Sequence, residues 1–172
     1  QRQMCIRDRV KSIRSEKNKG ERNELKKRLP AVCFSGTFNK RNDSSIIEHS
    51  GFICLDFDGY EKQKQLLQDK EAISKDKHVY SVFISPSGNG LKVLVKIPQE
   101  IENHVSYFNS LENHFDSQYF DKTCKNLSRV CYESYDPLIY VNENSSIWDK
   151  VEEVEYKDCL LYTSPSPRDP IG

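Results

Sequence analysis

Net charge is the first thing missing: 26 Lys and Arg are matched by 26 Asp and Glu over 172 residues. No overall basic field therefore draws the chain to a polyanion or a membrane surface. Long apolar runs are missing too; none approaches the roughly 20 residues of a membrane span, and no signal-peptide core follows the N-terminus. A membrane or secreted protein is excluded on this reading, and a cytoplasmic location is expected. Apolar residues make up 36% and the mean hydropathy is -0.75, low for a globular chain. Eight Phe and nine Tyr nevertheless argue against wholesale disorder. The six cysteines include no C-x-x-C pair, which leaves a zinc site weak support, with His114, Cys124 and Cys131 as a minor alternative. The thiols read as reduced and mostly buried.

The two ends read as foreign to the rest. Met4 is the single methionine, and Met4–Asp8 has codons whose reverse complement, one frame over, encodes Cys159–Thr163. With Gln1–Gln3 and Ser164–Asp169, both ends resemble a translated transposase-type sequencing adapter. Residues 1–9 and 159–172 are therefore expected to lie outside the fold. Residues 10–158 are read as one domain, a fragment of a longer reading frame. About 150 residues bury roughly 70% of their unfolded surface, enough for a core.

Residues 16–29 are charged and helix-forming, with Leu25 and Leu29 on one face and Pro30 as a stop. Residues 31–34 read as a short strand, and Ser35–Gly36 and 39–45 as loop. A strand over 51–58 puts Ile53, Leu55 and Phe57 on one face and Cys54, Asp56 and Asp58 on the other. A helix over 60–75 carries Leu66, Leu67 and Ile73, a strand covers 78–85, and Ser85–Gly90 is a turn. Residues 91–97 alternate as a third strand. A helix over 99–115 sets Ile101, Val105, Phe108 and Leu111 on its apolar side. A fourth strand is expected at 129–135. The order βαββαβ with a small N-terminal αβ extension predicts an α+β, ferredoxin- or RRM-like fold of sheet order 4-1-3-2, helices on one face. Asp56, Asp58, Lys92, Asp121 and Arg129 would then converge at one edge of the uncovered face.

Asp56 and Asp58, two positions apart on one strand face, bring like charges together. At about 4 Å such charges repel by roughly 4 kcal/mol at an effective dielectric near 20. A divalent cation or a shifted pKa relieves this, and oxygen-only ligands favour Mg²⁺ or Mn²⁺. In Ser85-Pro86-Ser87-Gly88-Asn89-Gly90-Leu91-Lys92 the glycines let backbone N–H groups turn toward an anion. The serines and Lys92 complete a phosphate cradle that is not a Walker A loop. Alone, the aspartate pair reads equally well as two solvated carboxylates, and the glycine-containing stretch reads better as an ordinary hairpin turn.

Together they resemble the archaeo-eukaryotic primase superfamily, the primase-polymerases. Leu55-Asp56-Phe57-Asp58 looks like that family's first motif, Ser85 to Lys92 like its second, and Phe120-Asp121 with Arg129 like its third. Leu29-Pro30-Ala31-Val32, Ser35-Gly36-Thr37-Phe38, Ser128-Arg129-Val130-Cys131 and Ser134-Tyr135-Asp136-Pro137 further resemble the primase-like N-terminal domain of VirE-type proteins of Bacteroides-group bacteria. The resemblance covers roughly residues 25–148. It implies metal-dependent nucleotidyl transfer in the replication of a mobile element or phage, from nucleoside triphosphates on a single-stranded DNA template. A helicase-like ATPase domain would follow C-terminally. Asp56, Asp58 and Asp121 would hold Mg²⁺ or Mn²⁺. Ser85, Ser87, Gly88, Asn89, Gly90, Lys92 and Arg129 would bind the nucleotide. Asp136 competes as the third carboxylate. Lys92 stands where most members carry His; it holds phosphate as a point charge but offers no neutral imidazole.

The alternative function on the same fold is a catalytically inactive nucleotide- or single-strand-binding module, although the RNP1 aromatics are absent. An initiator nuclease needs a paired metal-binding histidine motif, whereas His49, His78, His104 and His114 are isolated in sequence and read as surface or capping residues. A palm-type nucleotide cyclase lacks its hairpin signature here.

Overall fold

The computed structural model describes residues 5–151. Helices α1 (Ile6–Ser15) and α2 (Lys19–Lys27) lead into strand β1 (Ala31–Val32) and a small hairpin of β2 (Gly36–Phe38) and β3 (Ile46–His49). Then follow β4 (Phe52–Asp58), α3 (Gln63–Ser74), β5 (Val79–Ile84), β6 (Gly90–Lys96), α4 (His104–Phe115), β7 (Cys131–Tyr132) and β8 (Tyr140–Val141). The class is α+β, as expected. Asn18 begins α2 by accepting hydrogen bonds from the N–H groups of Gly20 and Glu21, and Lys26 and Lys27 complement its C-terminal dipole. Asp116 ends α4 in the left-handed region, φ 41°.

The main sheet is antiparallel throughout, in the order β4-β6-β5-β8. Ile53, Leu55 and Phe57 of β4 share a core with Leu91, Val93 and Val95 of β6, Val79 and Val82 of β5, Leu66 and Ile73 of α3, and Phe108 and Leu111 of α4. Edge-to-face contacts of Phe120 with Phe57 (5.3 Å) and Phe108 (5.2 Å) close it. At about 1.5–3 kcal/mol per buried large apolar side chain, this layer holds the fold together.

Three expectations are corrected here. The expected fourth strand does not lie beside β4: Cys131 and Tyr132 pair with Val32 and Ala31, while β8 adds to the other edge of the sheet, on β5. The edge of β4 is instead covered by residues 119–121, through Asp58 N–H to Tyr119 O (2.8 Å), Asp121 N–H to Asp56 O (2.8 Å) and a bridge between Phe57 and Phe120. The apolar stripes are narrower than their spacing suggested, for Leu67, Ile101 and Val105 are exposed. Between and after the two stretches read as loop, 35–36 and 39–45, lie strands β2 and β3, β2 starting at Gly36.

Two histidines are also not surface residues. His49 and His104 are buried against each other, Nε2 to Nδ1 at 3.1 Å. Since Gly51 N–H donates to His49 Nδ1, the His49 proton sits on Nε2 and is donated to His104. At the N-terminus, Ile6–Arg9, expected outside the fold, form the first turn of α1, and Val10 and Ile13 of that helix are fully buried. Residues 159–172 lie outside the described residues.

Candidate active site

The register of β4 against β6 places Asp56 opposite Lys92 and Asp58 opposite Gly90; that of β5 against β6 places Phe83 opposite Lys92. Directly opposed residues of antiparallel strands share a face. Asp56, Lys92 and Phe83 therefore form one row on the side of the sheet away from α3 and α4. Asp121 reaches Asp56 through the backbone bond from its own N–H to Asp56 O, so two carboxylates far apart in sequence meet at the edge of β4.

Asp56 is only 4% exposed and is engaged on both oxygens. Oδ1 takes the Lys92 ammonium at 2.5 Å; Oδ2 takes the Cys124 thiol at 3.3 Å and lies 3.7 Å from Arg129. Arg129 stands equally far from Asp121 Oδ2, at 3.7 Å. Asp121 also accepts from the Thr123 N–H and hydroxyl, and its Oδ2, at 2.9 Å, is the nearer of the two acceptors for the single Cys124 S–H. Desolvation pushes the Asp121 carboxyl up, but these hydrogen bonds and Arg129 outweigh it and hold it below its ordinary value. Burial lowers Lys92 first, yet the charge of Asp56 leaves it raised overall. The segment bearing Arg129 is fixed by Ser128 N–H to Asp43 Oδ1 at 2.8 Å.

Among the described residues, the metal-ligand atoms gathered within 4.8 Å of one another belong to Asp56, Asp121 and Cys124. Asp58 is not in that group. It ends β4 with an exposed side chain turned toward Gly90, and surrounding protein followed by Asp56 and Asp121 raises its carboxyl. Burial, then Asp56, raises the Cys124 thiol, so it stays protonated and the charged donors are carboxylate oxygens. Such a set fits Mg²⁺ or Mn²⁺ better than a soft metal.

The loop 85–90 turns tightly beside this cluster. Gly88 N–H donates to Ser85 O at 2.9 Å, and Ser85 N–H to Gly90 O at 2.8 Å. Gly88 has φ +81°, open to glycine at little cost. At Gly90 a Cβ would stand 2.3 Å from Asp58 Oδ1 and 2.8 Å from Phe57 O, so only glycine lets the strands approach. The Ser85 hydroxyl is buried with no hydrogen-bond partner among the described residues, and the Cβ position of Gly90 is 3.3 Å from it. Ser87 is half-buried, and Asn89, exposed, accepts from Tyr60 N–H.

Asp136 does not join the cluster. Its carboxylate binds Lys70 Nζ at 2.5 Å, Ile84 N–H at 2.9 Å and Leu138 N–H at 3.0 Å, a buried tie between α3, β5 and the turn before β8. His114 pairs with Asp76, away from Cys124 and Cys131. Sequence reasoning missed Asp43, Arg14 and Lys26. The Arg14 guanidinium donates to Ser85 O at 3.2 Å and Tyr135 O at 3.1 Å, and its stem lies against Gly88. Lys26 of α2 is lowered by burial and then by Lys92, and it feels Asp58 and Asp56. None of the three belongs to a local motif; only the packing of the N-terminal helices brings Arg14 and Lys26 here.

Comparison with known proteins gives one family: that described as BT4734-like, N-terminal domain, matches residues 24–141. No curated protein and no solved structure matches the chain. No helix among the described residues is long and apolar enough to cross a membrane.

Proposed function

The chain belongs to the BT4734-like N-terminal domain family, and we propose that it is a primase-polymerase-type nucleotidyltransferase that extends nucleic acid on a single-stranded DNA template. The observation that carries this reading is the meeting of Asp56 and Asp121 around Arg129, beside Lys92 and the 85–90 turn. Carboxylates for a cation and cations for a phosphate chain stand together, from segments remote in sequence.

Asp56 and Asp121, with Asp58 at the rim, would hold Mg²⁺ or Mn²⁺, which when bound favours deprotonation of a 3′-hydroxyl and offsets charge on the departing pyrophosphate. The chain's own groups bind and orient. Arg129, 39% exposed at its side chain, offers a planar donor pair to phosphate oxygens. Lys92 supplies a point charge once it shares its hold on Asp56. The N–H groups of Ser87 and Asn89 would supply neutral donors, that of Gly88 being already held by Ser85 O. Aligning the reacting oxygen and phosphorus is the larger part of the catalysis asked of such a site.

A second reading, a nucleotide- or single-strand-binding module without chemistry, is favoured by one fact: Asp56 is already paired with Lys92 at 2.5 Å, with Arg129 3.7 Å from its other oxygen. Primer extension and primer synthesis on single-stranded DNA with Mn²⁺ separate the two, with Asp56→Asn and Asp121→Asn as controls and circular dichroism to check their fold. Product from the wild type alone supports the enzyme. Nucleotide binding without product supports the module, and neither binding nor product overturns both.

A further inference from the structure

A cavity at the face bearing Asp56 has no role in the reading above. It is a groove of about 610 Å³ whose lining includes Val32, Phe34, Phe83, Cys131, Tyr132 and Tyr135. Its lining is mainly apolar, though it also holds Glu133 and Asp136, and Phe34, Phe83, Tyr132 and Tyr135 are each half-buried. The groove also abuts the charged cluster. Phe83 is the register partner of Lys92, and Cys131 lies near enough to Lys92 to act on its charge. Lys92 does not line the groove; it stands beside it, across the strand pair from Phe83, with Asp56 and Arg129 beyond it.

An aromatic slot lying next to a cluster that holds Lys92 and Arg129 selects the chemistry of its occupant. A free peptide or lipid would satisfy the apolar part but has no reason to meet two cations and a metal-ready carboxylate pair. A nucleotide has a flat apolar face joined to a polyanion by a sugar, in that order. Base–aromatic stacking tolerates any base, because every base presents a π-face. The mainly apolar lining suits stacking, for Ser134 and Asp136 already spend their side chains on Ile84 O and on Lys70, while Glu133 is exposed.

We propose that the Phe34–Phe83–Tyr132 groove is the base subsite for the nucleotide whose phosphates are held at Lys92 and Arg129. The proposal rests on the functional reading above, and its test separates the two. Two probes are titrated into the full chain with Mn²⁺: inorganic tripolyphosphate, which has no base, and dATP. Tyr132→Ala and the groove-filling Val32→Trp, on a strand residue 48% exposed, should weaken dATP about 5- to 150-fold, the range of one lost stack. Both should leave tripolyphosphate within twofold. Arg129→Ala should weaken both probes. Thermal midpoints of the variants within a few degrees of wild type show that the groove, not the fold, was changed, and Phe83→Leu serves as a second probe that removes the ring but keeps an apolar side chain. Wild type that binds tripolyphosphate while groove variants keep full dATP affinity overturns the base subsite alone. Wild type that binds neither probe overturns the functional reading and the subsite with it.

Discussion

Replacing Lys70 by Met asks whether Asp136 belongs to the fold or to the site. The two side chains are 9% and 3% exposed, and their 2.5 Å ion pair is joined by bonds from the N–H groups of Ile84 and Leu138. Lys70 also donates to Leu138 O at 2.6 Å. The carboxylate is thus fully coordinated by three different segments. Removing the ammonium leaves a buried charge with two neutral donors, which costs about 3–5 kcal/mol. For a domain of this size that is a fall in Tm of roughly 6–20 °C. Asp136→Asn should cost somewhat less, since the amide oxygen still accepts from one N–H, but it strands the Lys70 ammonium on Leu138 O.

The sign of the pH dependence follows. Desolvation raises Asp136, but Lys70 and the two backbone donors outweigh it and hold the carboxyl below its ordinary value. The contribution is therefore complete above the unfolded pKa of about 3.9 and is lost as pH falls through the lower folded value. Urea unfolding at pH 7 and pH 3 should show a smaller loss on acidification in Asp136→Asn than in wild type. Mn²⁺ affinity, read by calorimetry on the folded fraction, should be unchanged in both variants. Unchanged Tm with weakened Mn²⁺ binding would refute the reasoning and return Asp136 to the metal site.

Three further outcomes are expected. His104 is pushed down to about 4, by burial first and His49 second; its stabilisation is complete above about pH 6.5 and fades as pH falls toward 4, by at most about 3 kcal/mol. His104→Gln should flatten the urea midpoint over that window, and an equal slope would show that the pair does not titrate. Gly90→Ala should cost about 1–3 kcal/mol by overpacking against Phe57 O and Asp58, measured by chemical denaturation; a neutral effect would mean the strands part freely. Arg14→Met removes two hydrogen bonds to carbonyls and should speed amide exchange at Gly88 while Val93 and Val95 stay protected; uniform exchange would deny that α1 braces the loop.

What could be read beforehand follows the length of each regularity. β4 and β6 alternate over seven residues, so period two fixes both faces and puts Asp56 and Lys92 on the same side once they pair. β1, β7 and β8 span two residues each, too few for any periodicity, and their partners are chosen by distant packing. The misplacement of the fourth strand comes from that: Cys131–Tyr132 carries the same local pattern whether it lies beside β4 or beside β1. The His49–His104 pair likewise leaves no local trace, since a buried histidine differs from an exposed one only in what the rest of the chain brings to it.

The convergence of Asp121 on Asp56 is the more instructive case, because it was expected from a topology that the fold does not adopt. A fourth strand beside β4 would have delivered it; two backbone hydrogen bonds from residues 119–121 deliver it instead. Both solutions answer one demand, that the outer edge of β4 find partners for its N–H and C=O groups. Phe120, buried between Phe57 and Phe108, anchors whichever chain supplies them. The residue after it must then lie level with Asp56, so its side chain emerges on the helix-free face as Phe120 points into the core. The position of Asp121 is thus a consequence of edge closure and core packing. Phe120→Ala, by cutting about 3–5 kcal/mol from that anchor, should loosen Asp121 from Asp56 before it unfolds β4 and β6.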